Sequence, residues 1–334
     1  MDLLYEKMKV IYIFIFAAIF AFLPNVFSTE KSPEKPVAAV MKEDYPSVLN
    51  FGDVMFDRGV RNIMERRGRN PFQYAMEEMP VIKKYDVVIA NLEGPIVETD
   101  RGKCQQKVYN FQFASTTPEL LNTAGISMVN IANNHMYDCY GMGFESTKKY
   151  LEEAGISYIG DRKADKSFVV KIIDGKKIAF VGMDETVQPV PISNFYPLIA
   201  KLKMENDFIV VNIHWGTEYE SQFNGKQKEI GHRLIDSGVN VVFGHHSHVV
   251  EPVEIYNAGV IFYSLGNFVF DQDGPETTKG IGAGVEFQKE KMAFTIYPYH
   301  IEIFAPKFLK GEEKESFCQN YLRFISHMSC KFEI

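Results

Sequence analysis

The chain has 334 residues, 46% of them hydrophobic and 24% charged, with a formal net charge of -7. That length buries one large core or two ordinary ones, nothing in it argues for two, and the composition excludes a disordered or fibrous protein. A net negative chain without a basic, aromatic-interleaved face is excluded as a general nucleic-acid binder, which must release counterions from phosphates.

In chain order, Lys7 and Lys9 precede an apolar run from Val10 to Leu23, followed by Pro24 and the small residue Ser28. This is the three-part layout of a secretory signal over residues 1–28. The run falls short of the roughly 20 apolar residues that span a bilayer, which favours cleavage after Ser28, with an uncleaved signal anchor as the alternative. An exported protein is expected, periplasmic or extracellular, or membrane-attached through this segment. Residues 29–46 are rich in Lys, Glu, Pro and Ala and read as a mobile tether. A domain over residues 47–305 and a helical tail over 306–334 follow.

Val48 to Val54 reads as a strand running into Gly52-Asp53, Arg58 to Arg67 as a helix closed by Gly68, and Pro71 to Lys84 as a second helix. Asp86 to Leu92 is a short apolar strand ending in Glu93, and Ser127 to Ala132 another ending in Asn133-Asn134-His135. Phe144 to Ala154 is helical. Phe168 to Ile173 and Lys177 to Gly182 flank Asp174-Gly175, a hairpin signal. Asp207 to Ile213 is a strand ending in His214-Trp215-Gly216, and a helix runs from Gln222 to Asp236. The apolar run Val241 to Phe243 stops at Gly244, and His245, His246 and His248 follow. Val260 to Leu265 runs into Gly266-Asn267, and Gly284 to Gln288 with Met292 to Tyr297 reads as a closing hairpin. Strands alternating with helices imply parallel crossovers, so the fold class expected is a layered α/β sandwich with antiparallel additions at its edges.

In such sheets ligands bind beyond the carboxyl ends of the strands, where loops from several strands converge. Asp53, Glu93, Asn134, His135, His214, His246 and His248 all stand at such ends, and five of the eight histidines lie in these loops. His246 and His248, two apart, can point the same way from an extended segment, with Gly244 letting the backbone turn tightly before them. A solvated polar loop is the alternative. Mixed carboxylate, amide and imidazole donors suit a divalent Mn, Fe or Zn ion, one or two per site. Gly-x-Ser-x-Gly and the phosphate-binding Gly-x4-Gly-Lys-Ser/Thr do not occur. Four cysteines in an exported chain permit disulfides. Proximity favours Cys104 with Cys139 and Cys318 with Cys330, and unpaired buried thiols are the alternative.

The blocks Gly52-Asp53-Val-Met, Asn91-Leu-Glu-Gly94, Ala132-Asn-Asn-His-x-x-Asp138, His214-Trp-Gly-x-Glu218, Gly244-His-His-Ser-His248 and Tyr263-Ser-Leu-Gly-Asn-Phe268 resemble the CapA (PgsA) family of capsule and poly-γ-glutamate synthesis proteins. The resemblance covers Ser47 to Tyr297. It implies a four-layer α/β/β/α sandwich related to calcineurin-like metallophosphoesterases, and a role in making or exporting an anionic capsule polymer beside membrane capsule-synthesis proteins. Carried over residue by residue, it makes Asp53, Glu93, Asn134, His214, His246 and His248 metal ligands and His135 the general acid. Two departures stand out: Met55 replaces the His that the phosphoesterases carry two residues after the first Asp, and Glu93 replaces their bridging Asp. A single ion, or a site that binds rather than cleaves, therefore stands beside a two-metal site.

The flanking positions leave readings open. Trp215 is a pocket wall or core, Glu218 orients His214 or is a solvated charge, and Asp138 and Asn267 line the site or cap a helix or turn. His245 completes the group of substrate-binding or supporting residues, while Asp57 and Arg58 read as a helix start. His135 transfers a proton or merely bonds the following helix. Two functions follow: a metal-dependent hydrolase or transferase acting on a cell-envelope substrate, or a non-catalytic component that binds the polymer or scaffolds the capsule machinery.

Overall fold

The structure is a computed structural model that describes residues 45–98, 104–161, 163–187, 191–321 and 329–334. The signal segment, and the tether up to residue 44, lie outside the described residues. Elements run in the order β1 (Ser47–Val54), α1 (Arg58–Arg67), α2 (Met79–Ile82), β2 (Val87–Leu92), α3 (Thr117–Thr123), β3 (Met128–Asn130), α4 (Tyr140–Glu153) and β4 (Ser157–Ile159). There follow β5 (Phe168–Ile173), β6 (Lys176–Asp184), α5 (Phe195–Glu205), β7 (Phe208–His214), α6 (Gly225–Asp236), β8 (Val241–His245), β9 (Val253–Tyr256) and β10 (Gly259–Phe262). The chain closes with β11 (Asn267–Val269), β12 (Lys279–Phe287), β13 (Met292–Glu302), β14 (Ala305–Phe308), α7 (Gly311–Tyr321) and β15 (Lys331–Glu333).

Two sheets result. The first has the order β14-β13-β12-β1-β2-β3-β4, with β11 paired to the end of β1 and β15 to β13. The second has the order β5-β6-β7-β8-β10-β9. β1 and β2 are buried along their whole length, as parallel strands covered on both faces must be. Successive side chains therefore serve different layers. Val48 and Ile89 face the second sheet and meet Phe180, Val210 and Phe243, while Leu49, Val88 and Ala90 face Val60, Leu121 and Leu151 of α1, α3 and α4. Across the second sheet, Val181, Ile209 and Val242 pack on Ile199 and Leu202 of α5 and Ile230 and Leu234 of α6. The layers are α/β/β/α, as the resemblance implies. Each fully buried Val, Leu or Phe contributes about 1.5–3 kcal/mol, so three such layers dominate stability.

Three expectations are corrected. Residues 71–84 do not form one helix: Asn70 Oδ1 caps a turn at the Phe72 N–H (2.9 Å), a 3-10 turn spans Ala75–Glu78, and only α2 is α-helical. Pro80, in the interior of that span, lacks an N–H and its ring crowds the preceding turn, which breaks a continuous helix. The tail is not one helix either. α7 spans Gly311–Tyr321, whereas Lys331–Glu333 form β15 on β13, tied to α7 by a Cys318–Cys330 disulfide. Val260 to Leu265 is not one strand, since β10 ends at Phe262 and the chain crosses to pair β11 with β1 in the other sheet. A second disulfide joins Cys104 and Cys139, so no described cysteine is free.

Candidate metal centre

Strand register sets the site. Asp53 stands opposite Asn91 of β2 and Asn267 of β11, and Asn91 stands opposite Asn130 of β3. In the facing sheet, His214 stands opposite Asp184 of β6 and His245 of β8. Apart from Asn267, which opens β11, both rows lie at the carboxyl ends of the parallel strands. Glu93 follows β2 directly, its N–H donating to Val54 O at 3.0 Å.

The histidine loop is built differently from the expected extended segment. β8 ends at His245, and His246 (φ 95°) and His248 (φ 59°) both adopt left-handed backbone that side chains disfavour. Such strain of about 1–3 kcal/mol per residue persists only where surroundings enforce it. Here the His246 N–H donates to Asp53 Oδ2 (3.2 Å), the Tyr219 N–H to Ser247 O (2.8 Å), and Ser247 Oγ to Val249 O (3.0 Å). Gly244 serves close approach rather than a turn: a Cβ there would lie 1.9 Å from Tyr263 O and 2.5 Å from Trp215 Nε1.

Asp53, Glu93 and His214 are fully buried, and one ligand atom from each lies within 4.8 Å of the others, a group that could hold a metal ion. His248 bridges the two carboxylates, with Nδ1 3.4 Å from Asp53 Oδ2 and Nε2 3.7 Å from Glu93 Oε1. The His246 ring lies 4.6 Å from that of His214, and Asn134 Oδ1 accepts from His214 Nε2 at 2.9 Å. Of the six expected ligands, Asp53, Glu93 and His214 thus form the group, His248 adjoins both carboxylates, and Asn134 and His246 adjoin His214. Neither oxygen of Glu93 has a hydrogen-bond partner, and His246 Nδ1 has none. A buried carboxylate without hydrogen bonds costs several kcal/mol, so these donors fit a bound cation.

The electrostatics are those of crowded, dry groups. Burial raises the Asp53 carboxyl, but hydrogen bonds and charge from His245 and His248 outweigh it and hold it well below the usual range. Burial drives Glu93 well above that range, against the charge of His248. Burial lowers His214 strongly, with repulsion from His246 adding to it, and lowers His246 to about 4. His248 goes the other way. Burial would lower it, yet Glu93 and Asp53 together lift it to about 9.

His135 lies beside rather than within this cluster. The turn after β3 sends Asn134 to His214 and His135 to Asp138, whose Oδ2 accepts from Nδ1 at 2.8 Å. That bond puts the Nδ1 proton on the carboxylate side and leaves Nε2 facing Glu93 Oε1 at 3.9 Å. Burial lowers the His135 pKa, with Asp138 opposing the shift.

The flanking residues separate cleanly. Asn267 Oδ1 accepts from His248 Nδ1 (2.9 Å), and its Nδ2 is fixed by Gln272 and Thr277. His245 lies behind Asp53, Nδ1 to Oδ1 3.4 Å, with Nε2 3.2 Å from Asn212 Oδ1. Trp215 packs in the core: it is buried against Tyr263 and donates to Tyr263 O (2.8 Å). Glu218 is exposed and does not orient His214, whose ring nitrogens face Asn91 and Asn134. Met55 is buried among apolar side chains, and its sulfur accepts from the Asp57 N–H. Asp57 precedes α1 and accepts from Arg61 and the Gln112 N–H, while Arg58 pairs with Asp271.

Sequence reasoning missed a buried amide layer. Asn91 Nδ2 donates to Asp53 Oδ1 (2.8 Å) and lies 3.3 Å from His214 Nδ1. Its Oδ1 accepts from Asn130 Nδ2 (2.9 Å) and Asn133 Nδ2 (3.3 Å). Asn50 Nδ2 donates to Asn212 Oδ1 across the two sheets at 2.5 Å. The signal was present in the sequence: each strand Asn interrupts an apolar run, and a buried amide needs partners.

Comparison with known proteins places the chain in a family. The chain is 32% identical over 286 residues to PGA biosynthesis protein CapA of Bacillus subtilis, covering 80% of this chain and 74% of that protein. It is 32% identical over 249 residues to capsule biosynthesis protein CapA of Bacillus anthracis, covering 68% of this chain and 60% of that protein. A crystal structure of a hypothetical protein from Thermus thermophilus superposes with a TM-score of 0.51 at 17% identity, over 76% of this chain and 99% of that one, a likeness of fold. The sequence pattern of the bacterial capsule synthesis protein family PGA_cap matches residues 47–272, a span that holds every residue of the centre from Asp53 to Asn267, and the chain belongs to that family.

Proposed function

We propose that this protein works in the biosynthesis of an anionic poly-γ-glutamate capsule as an exported, metal-dependent hydrolase or transferase acting on the polymer or its envelope precursor. The observation that carries the reading is Glu93, buried with both oxygens free of hydrogen bonds among Asp53, His214 and His248. Asp53, Glu93 and His214 would hold a divalent Mn, Fe or Zn ion, with Asn134, His246 and His248 as further donors. Such an ion, when bound, lowers the pKa of water and neutralises substrate charge. His135 donates from Nδ1 to Asp138 and presents Nε2 toward the centre, where Nε2 can take a proton from water and then hand it to a leaving group. Export is supported by the apolar run at Val10–Leu23 and by two disulfides, which persist in oxidising compartments. Membrane capsule-synthesis proteins are the partners this role implies.

The test is metal analysis of the purified protein with a screen of phosphodiester and γ-glutamyl amide hydrolysis. Stoichiometric metal with metal-dependent turnover is expected. Protein that takes up no divalent ion overturns the reading. The buried Met55, standing where phosphoesterases carry a ligand, favours a second reading in which the centre holds the polymer without cleaving it. Bound metal and polymer without turnover would select that one.

A further inference from the structure

We infer that residues 104–111 form a disulfide-pinned strap whose task is to position His135. This rests on His135 being the proton-transfer group proposed above. The strap is fastened to the segment 137–139 by independent contacts. Cys104 is bonded to Cys139, the Gln105 N–H donates to Asp138 O (2.7 Å), and Gln105 Nε2 donates to Tyr137 O (2.8 Å). Asn110 Nδ2 donates to Gln105 O (2.5 Å), closing the strap on itself, and lies 3.3 Å from Asp138 O.

Fastened in this way, the strap delivers three groups to the His135–Asp138 pair. The Phe111 N–H donates to Asp138 Oδ2 at 2.7 Å, the same oxygen that accepts from His135 Nδ1. Lys107 Nζ lies 2.5 Å from Asp138 Oδ1 and holds the carboxylate in place. The Phe111 ring lies on the imidazole, centroids 4.1 Å apart, and fixes its plane. None of these groups touches Asp53, Glu93 or His214. The strap therefore acts on His135 and leaves the ligand cluster alone, and the Cys104–Cys139 bond is a positioning device of the site.

The test uses full-length protein carrying Cys104→Ser with Cys139→Ser, and separately Asn110→Ala, which keeps both disulfides. Long-range 15N spectra of the imidazoles, with the His135 signal assigned by its loss in His135→Gln, report the tautomer, and hydrogen exchange reports the Phe111 amide. In the serine pair, His135 is expected to lose its single Nδ1–H tautomer and the Phe111 amide to exchange at least about 10-fold faster. Asn110→Ala is expected to move both readouts the same way by less, and it answers alone if the serine pair does not fold. Metal content should stay at the wild-type value in both, and turnover, where found, should fall in kcat with KM held. An unchanged tautomer with unchanged Phe111 protection overturns the inference, as does loss of metal in step with the loss of the tautomer. A wild-type protein that binds no ion and cleaves nothing would defeat the proposed function, while the imidazole and amide readouts would still decide the strap.

Discussion

Asn91 donates from Nδ2 to Asp53 Oδ1 across 2.8 Å, directly opposite it in the register of β1 and β2. The same amide accepts from Asn130 and Asn133, so one side chain orients a carboxylate of the centre and satisfies two buried donors. Asn91→Ala leaves those groups short of partners. A loss of about 2–3 kcal/mol in denaturant unfolding is expected, with weaker metal binding in titration. An Asn91→Ala protein as stable as the wild type would show that the amide layer contributes nothing.

His135 and the cluster should separate on mutation. His135→Ala is expected to keep its metal and lose about 100-fold to 10,000-fold of turnover, the usual contribution of general acid catalysis. His214→Ala and His246→Ala should lose metal and turnover together. Metal content beside kcat for the three variants makes the comparison, and equal metal loss in His135→Ala would place His135 among the ligands.

Glu251 carries the pH prediction. Burial pushes its carboxyl up from 4.5 to about 8, against hydrogen bonds from Gln227 and Ser247. Between those values the folded state holds a proton that the unfolded chain has released, so stability falls as pH rises from about 4.5 to 8 and levels off above. Glu251→Gln, which can still accept from Gln227 Nε2, removes that fall. The variant is expected to match the wild type near pH 4.5 and to exceed it at pH 9 by an amount on the order of 2–4 kcal/mol, read from urea midpoints. A difference independent of pH would show that Glu251 ionises normally.

The Cys318–Cys330 disulfide closes a short loop that returns the chain as β15. Chain-entropy loss in the unfolded state gives about 3 kcal/mol for such a loop. Cys318→Ala with Cys330→Ala should lose about that much, and metal content should be unchanged because the centre draws nothing from the tail. Loss of metal in this variant would mean that the tail supports the centre.

Much of the site was legible because its local grammar is strong. Apolar, β-branched runs that stop in Gly-Asp, Leu-Glu-Gly or Gly-His-His mark buried strands ending in polar loops, and the structure sets those ends around one centre. What was not legible depends on partners far along the chain. The left-handed backbone at His246 is held by an Asp53 bond spanning 193 residues, and no local spacing encodes it. Gly244 looked like a hinge because its neighbour in space, Tyr263 O, is invisible from the sequence. α3 and α5 escaped because the first has only seven residues and the second opens with Phe195-Tyr196-Pro197. The amide layer escaped because a strand Asn has no periodicity of its own.

The pairing of β11 with β1 sets the order in which the centre can be made. Asp53 belongs to the first strand, yet its register partner Asn267, which fixes His248, belongs to the eleventh. Every intermediate that has not closed this long loop lacks a completed centre. Loop closure over such separations is slow, and chains dominated by non-local pairing fold in milliseconds to seconds rather than microseconds. Ion affinity should consequently emerge in the final kinetic phase of refolding, so that acquisition of the metal reports completion of the whole sandwich.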